Sequence, residues 1–371
     1  MERNVPKLRF KGFNDEWNEL KVSDTLKIRH GKDQKKIECE NGEYPILATG
    51  GEIGRTDTPI YDKESVLIGR KGTIDRPIYM NTPFWTVDTL FYSEIHNNYI
   101  PKFIYYKFQC INWKKYCEAS GVPSLSASTI ESIKYKLPSL QEQERIANFL
   151  TKVDKIIEKQ EEKVKNLEKY KKGMMQKIFS QEIRFKDENG KEYPEWEEKK
   201  LGEIAGVIMG QSPSSEAYNE NYEGIPLIQG NADIKLRKTA PRIYTTEITK
   251  TCEIGDIIMS VRAPVGSIGI ADHNCCIGRG VCAIKAKINN NYLYQVLLKK
   301  ENKWSSISQG STFESINKND INGLKIVVPS LKEQEKIADF LTKIDLSSQK
   351  EYDKLKELKQ WKRGLLQQMF V

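Results

Sequence analysis

The sequence predicts an α+β fold: two globular domains separated by two long antiparallel coiled-coil helices, built as a pseudo-two-fold internal repeat. Three observations predict it. First, Pro138-Ser139-Leu140-Gln141-Glu142-Gln143 to Asp154 returns as Pro329-Ser330-Leu331-Lys332-Glu333-Gln334 to Asp345, 191 positions later. Four of the 17 aligned pairs differ, and mildly: Gln141/Lys332, Arg145/Lys336, Asn148/Asp339 and Val153/Ile344. Second, both copies open long stretches with apolar residues on a 4,3 spacing. Third, the segments before them hold short β-branched runs punctuated by Gly, Pro and Asn, which read as strands and turns.

These observations divide the chain into a globular domain over 1–136, a helix over 137–182, a second globular domain over 183–327 and a second helix over 328–371. The globular segments are distant relatives. Leu8-Arg9-Phe10 before Glu16-Trp17 parallels Ile183-Arg184-Phe185 before Glu195-Trp196, and Tyr44-Pro45-Ile46-Leu47 parallels Ile225-Pro226-Leu227-Ile228. The run Ser65 to Ile74 aligns with Asp256 to Gly266, with Arg70 as the counterpart of Arg262. Each segment closes on a polar loop, Gly121 to Ser126 and Gly310 to Ser315.

The helices begin at Ser139-x-x-Glu142 and Ser330-x-x-Glu333, which fit capping boxes. Ile146, Leu150, Val153, Ile157, Val164, Leu167, Met174 and Ile178 make the first apolar stripe, with Gln160 and Lys171 on it. Ile337, Leu341, Ile344, Leu355, Leu358, Leu365 and Met369 make the second, with Ser348, Glu351 and Lys362 on it. The stripes could pack with each other, with the globular segments or with partner chains; connectivity favours mutual packing, which requires the second helix to run back antiparallel to the first. Gly173 and Gly364, one repeat apart, cost each helix about 1 kcal/mol relative to alanine and predict close backbone approach at matched points.

Composition bounds the function. A length of 371 residues allows two or three domains. A charged fraction of 30% and a net charge of +8 fit long exposed helices and a polyanion partner such as nucleic acid. Seven scattered cysteines argue against a secreted disulfide framework. No long apolar run or leader is evident, so the expectation is a cytoplasmic protein with no membrane partner.

Catalytic signatures are missing. There is no Asn/Asp-Pro-Pro-aromatic tetrapeptide, no Walker A motif and no Gly-x-Gly-x-x-Gly. Glu197-Glu198-Lys199 lacks the Pro-Asp that a nuclease motif would carry. His273, Cys275, Cys276 and Cys282 lack metal-ligand spacing and read as buried strand, so no metal site is expected.

The repeated Pro-Ser-Leu-x-Glu-Gln-x-x-Ile-Ala-x-Phe-Leu, the run ending Arg262-Ala263-Pro264-Val265-Gly266 and the Gly310-Ser311-Thr312 loop resemble the specificity (S) subunits of type I restriction-modification enzymes. That resemblance implies two target recognition domains, each reading half of a bipartite double-stranded DNA site. It implies a helical spacer that docks two methyltransferase (M) subunits, with restriction (R) subunits joining through them. It also implies no cofactor on this chain, with S-adenosylmethionine in M, and ATP and Mg²⁺ in R. The alternative is a repeat-built scaffold for proteins with no DNA role.

If the chain reads DNA, side chains at turns must reach base edges while cations hold phosphates. Candidates are Arg55, Arg70, Lys71 and Arg76 in the first domain, with Lys32, Lys35 and Lys36 as phosphate contacts. In the second they are Gln211, Ser212, Gln229, Asn231, Arg262, Arg279, Ser311 and Thr312. The helical stripe residues are the candidates for spacing and partner docking.

Overall fold

The computed structural model describes residues 5–308 and 315–371. Its helices are α1 (Pro101–Gln109), α2 (Ala127–Ser132), α3 (Leu140–Phe179), α4 (Leu201–Ile204), α5 (Asn290–Ser308), α6 (Lys318–Asn322) and α7 (Leu331–Met369). The two long helices, α3 and α7, have 40 and 39 residues.

The chain forms two compact units, and their borders cut both long helices. One unit holds Met1–Glu162 with Tyr352–Val371; the other holds Lys163–Glu351. Each globular domain therefore packs with one half of each helix rather than standing apart from them.

In the first unit, β1 (Asn18–Lys21) pairs with β9 (Lys134–Leu137), taken with the strands between them: β2 (Leu26–Arg29), β3 (Tyr44–Ala48), β4 (Gly51–Thr56), β5 (Ser65–Gly69), β6 (Ile78–Met80), β7 (Trp85–Thr86) and β8 (Leu90–Ile95). One sheet has the order β2-β8-β5-β6 and another β4-β3-β7, with β3 and β7 parallel. The second unit has β10 (Glu197–Lys200), β11 (Ala205–Met209), β12 (Tyr218–Asn219), β13 (Ile225–Ile228), β14 (Ile234–Lys235), β15 (Lys238–Thr239) and β16 (Ile243–Thr245). It continues with β17 (Thr251–Cys252), β18 (Ile257–Ser260), β19 (Ile268–Ile270), β20 (Cys275–Ile277), β21 (Val281–Ala286) and β22 (Lys325–Val328). Its sheets are β10-β22, β11-β21-β18-β19-β15-β14 and β12-β16-β13-β20-β17.

The two topologies match in register. Ile68 faces Phe91 in one unit and Met259 faces Cys282 in the other, all at the 191-residue offset. Ile46 faces Trp85 in a parallel pair, as Leu227 faces Cys276. Val66–Ile68 and Ile257–Met259 are fully buried, which is why both strands read as continuous apolar runs. Gly266, at φ +91, lies so close to Trp304 that an added Cβ would come within 2.6 Å of it.

The start of the repeated motif has a different purpose from the one predicted. Glu142 is 1% exposed and accepts from Arg9 Nε at 2.7 Å and Nη2 at 2.8 Å. Glu333 accepts from Arg184 Nη2 and from Trp196 Nε1, both at 3.0 Å. Ser330 Oγ is buried without a partner. The acidic residue thus clamps the Leu8-Arg9-Phe10 or Ile183-Arg184-Phe185 segment instead of closing a capping box, because a buried carboxylate needs charged donors more than a backbone N–H. Phe10 and Phe185 pack edge-on against Phe149 and Phe340 beside it. The adjacent glutamines are buried as well. Gln143 donates to Pro138 O at 3.0 Å and accepts from Ile100 N, while Gln334 donates to Pro329 O at 2.8 Å and accepts from Asn289 N.

Within each unit the helix halves run antiparallel. In the first, Lys362 reaches Asp154 and Lys359 reaches Glu161, both at 2.6 Å. In the second, Lys171 reaches Asp345 at 2.5 Å and Lys163 reaches Glu351 at 2.6 Å. Tyr106 donates to Asp154 at 2.6 Å, and Gln295 fills the matching place on Asp345 at 2.7 Å. Ile146, Leu150, Val153, Ile157 and Val164 are buried, as are Ile337, Leu341, Ile344, Leu355 and Leu365. Leu167 and Leu358 are half-buried. Most of these side chains are thus buried within their own units. Met175 rather than Met174 is buried in the first stripe. Gly173 and Gly364 also depart from expectation: a Cβ at either would meet nothing within 4 Å. No close backbone approach requires them.

Candidate nucleic-acid interface

In the second unit the predicted readers converge on one turn. The turn Gly278-Arg279-Gly280 joins β20 to β21. Gln211 N donates to Ile277 O at 2.8 Å, and Arg279 N donates to Ser212 Oγ at 3.2 Å. Gly278 N donates to Ile228 O, which places Gln229 against the turn. A Cβ on Gly280 would stand 2.1 Å from Gln229 O, so only glycine allows this approach. Val261 N donates to Gly280 O at 2.9 Å and brings Arg262 alongside. Gln211, Ser212, Gln229, Arg262 and Arg279 thus surround a single β-turn.

Asp233 fixes the Gln229 loop. It is 1% exposed, accepts from Gln229 N at 2.8 Å and from Gly230 N, and takes Arg242 Nε at 2.8 Å. Asn231 lies in the short helical turn that Asp233 closes. Arg262 and Arg279 are exposed and pair with no carboxylate among the described residues. Ser311 and Thr312 lie outside the described residues.

The first unit gathers a smaller set around Val87-Asp88-Thr89, between β7 and β8. Lys32 N donates to Thr86 O at 2.8 Å, and Trp85 Nε1 donates to Lys32 O at 2.9 Å. Arg70 N and Lys71 N both donate to Thr89 O. Gly72 N and Leu125 N tie this strand end to the Gly121 to Ser126 loop through Pro123 O and Arg70 O. Lys35, Lys36 and Arg76 are exposed and lack carboxylate partners among the described residues. Arg55 is not part of the set. Its guanidinium pairs with Glu52 at 3.0 Å and donates to Gly42 O and Glu43 O, so it braces its own loop.

One alignment changes. Lys71 bridges to Ser124 as Arg262 bridges to Ser315, and Leu125 N donates to Arg70 O as Ile316 N donates to Val261 O. The counterpart of Arg262 is therefore Lys71, and Arg70 matches Val261. Sequence reading missed Asp88 altogether. The signal was present, because the 191-residue offset carries Arg279 onto it.

Other chemical candidates are absorbed by structure. Glu197, Glu198 and Lys199 lie on β10, where Lys199 pairs with Glu197 and Lys325 with Glu198. Cys275, Cys276 and Cys282 are buried in β20 and β21, and burial pushes the Cys282 thiol up to about 12. Among the described residues no cluster of His, Cys, Asp or Glu could hold a metal ion, and no helix is long and apolar enough to cross a membrane.

The type I restriction modification DNA specificity domain matches the chain twice, over residues 14–169 and 193–360. The chain belongs to that family. A Methanocaldococcus jannaschii protein assigned as the MjaX type I restriction enzyme specificity subunit is 38% identical over 232 residues, covering 60% of this chain and 55% of that protein. The chain thus matches little more than half the length of this relative. The MjaVIII type I restriction enzyme specificity subunit of the same organism is 24% identical, covering 93% of this chain and 89% of the other. The crystal structure of a type I restriction-modification S subunit from M. genitalium covers 99% of both chains, with a TM-score of 0.69 and 18% identity. The specificity-family fold therefore extends over both units.

Proposed function

We propose that this chain is the non-catalytic DNA-reading subunit of a type I restriction-modification enzyme. Each unit reads one half of a bipartite duplex target, and the α3/α7 pair, acting as an antiparallel coiled coil with pseudo-two-fold symmetry, sets the distance between the halves. Methyl transfer belongs to two methyltransferase subunits using S-adenosylmethionine, and ATP- and Mg²⁺-dependent cleavage to restriction subunits joined through them. This chain itself holds no cofactor.

The observation that carries this reading is the turn at Gly278–Gly280. Two unpaired guanidiniums, two amides and a hydroxyl are held there by backbone hydrogen bonds, the donor and acceptor mix that reads base edges in the major groove. Lys32, Lys35, Lys36, Lys71 and Arg76 supply cations suited to phosphates.

Replacing residues 183–327 with the corresponding segment of another specificity subunit tests the modular reading. In complex with the methyltransferase, the hybrid should methylate adenine at sites altered in one half only. A change in both halves would refute it, as would methyl transfer by the purified chain alone.

A further inference from the structure

The turns at Val87-Asp88-Thr89 and Gly278-Arg279-Gly280 share a set of backbone hydrogen bonds and carry opposite charges, although Thr89 stands where Gly280 makes its close approach to Gln229 O. Lys32 N to Thr86 O matches Gln211 N to Ile277 O, both at 2.8 Å. Val87 N to Leu47 O matches Gly278 N to Ile228 O, and Leu90 N to Val87 O matches Val281 N to Gly278 O. Arg70 N to Thr89 O matches Val261 N to Gly280 O. A Cβ on Gly31 would lie 2.1 Å from Val87 O, and one on Gly210 would lie 2.1 Å from Gly278 O. With so many matched contacts, Asp88 and Arg279 occupy one framework position in two settings.

The neighbouring positions differ too. Lys32 stands where Gln211 stands, and Lys71 where Arg262 stands. The first unit thus carries cations beside the turn that bears its acid, and of these Arg70 comes nearest the acid. Arg70 Nη1 lies 3.2 Å from Asp88 O and 3.8 Å from its carboxylate, and the Asp88 side chain is 68% exposed on the turn. A carboxylate on a surface facing DNA is repelled by phosphates. It is favourable there only where it can accept from an exocyclic amino group, and the major groove offers one on cytosine N4 and one on adenine N6. Guanidinium chemistry is complementary, because Arg pairs with guanine O6 and N7.

We infer that Asp88 and Arg279 are the matched specificity-determining residues of the two domains, Asp88 reading the amino group of a cytosine and Arg279 the acceptor edge of a guanine. The inference rests on the DNA-reading function proposed above and adds the residue in each domain that selects a base. Matching hydrogen-bond frameworks with exchanged charges at one position give two half-sites of different sequence from one duplicated fold.

The test is selection from a randomised duplex library by the full chain in complex with its methyltransferase subunit. Asp88→Asn keeps shape and exposure, so folding is not at stake. An amide pairs with adenine N6 and N7, so the preferred base at one position of one half-site should shift from cytosine toward adenine. Discrimination there should change by about 5- to 150-fold, and the other half-site should be unchanged. Arg279→Ala should relax one guanine in the other half-site by a similar factor. An unchanged preference in Asp88→Asn, a uniform loss of affinity for all sequences, or effects of both variants in the same half-site would overturn the inference while the wild-type complex still selects a bipartite site. A wild-type complex that selects no sequence would remove the DNA-reading function itself.

Discussion

Arg9→Met should destabilise the first unit by about 3–5 kcal/mol, because it leaves the Glu142 carboxylate buried without its ionic partner. The structure sets the size. Glu142 is 1% exposed and its two oxygens accept two guanidinium bonds from Arg9 at 2.7 and 2.8 Å. No indole compensates, since Trp17 Nε1 is buried without a partner, whereas Trp196 Nε1 donates to Glu333 in the second unit. Arg184→Met should therefore leave its carboxylate better supported than Arg9→Met does. Replacing both partners, Arg9→Met with Glu142→Leu, should recover most of the loss, because an apolar pair of similar volume removes the buried charge. Urea unfolding followed by circular dichroism measures the four proteins, and hydrogen exchange resolves which unit opens. An Arg9→Met protein within about 1 kcal/mol of wild type, below the cost expected for an orphaned buried charge, would refute the reasoning. So would a double variant as unstable as the single one.

Gly173→Ala and Gly364→Ala should each raise helix stability by up to about 1 kcal/mol, read as a higher unfolding midpoint, because an added Cβ meets nothing at either position. Adding one heptad after Lys163 and one after Lys354 lengthens each helix by about 10 Å. Methylation mapping should then show a gap about three base pairs longer at about 3.4 Å per base pair, with both half-sites unchanged. Burial pulls the Lys107 ammonium down to about 8, so the folded chain releases this proton at lower pH than the unfolded chain. The burial penalty is therefore fully present below pH 8 and is relieved as pH rises from about 8 toward the unfolded value near 10.4. Lys107→Met removes this burial penalty and also the bond that Lys107 Nζ donates to Val371 O; whatever the difference at pH 7.5, it should move in favour of wild type by up to about 1.4 kcal/mol per pH unit above pH 8, as measured by thermal unfolding at matched ionic strength.

The sequence alone determined the mixed α/β content and the two long helices, because each feature involved is periodic or repeated. The 191-residue duplication, the 4,3 apolar spacing and the paired β-branched runs survive reading in one dimension, and the long helices and matched sheets followed from them. It determined most of the turn set in the second unit as well, since Gln, Ser and Arg beside glycine mark tight backbone approaches. What it could not decide were choices made by distant partners. Glu142 and Glu333 satisfy the local capping pattern, yet arginines 133 and 149 positions away claim them, because burial raises the value of a charged donor above that of a backbone amide. Arg55 reads as a free cation until its loop carbonyls are seen around it. Lys71, not Arg70, answers to Arg262 because strand bridges, rather than residue type, define equivalence. Asp88 carries no local signal of its own in the sequence. Only the folded turn, with hydrogen bonds that match those of the turn bearing Arg279, makes it that residue's counterpart.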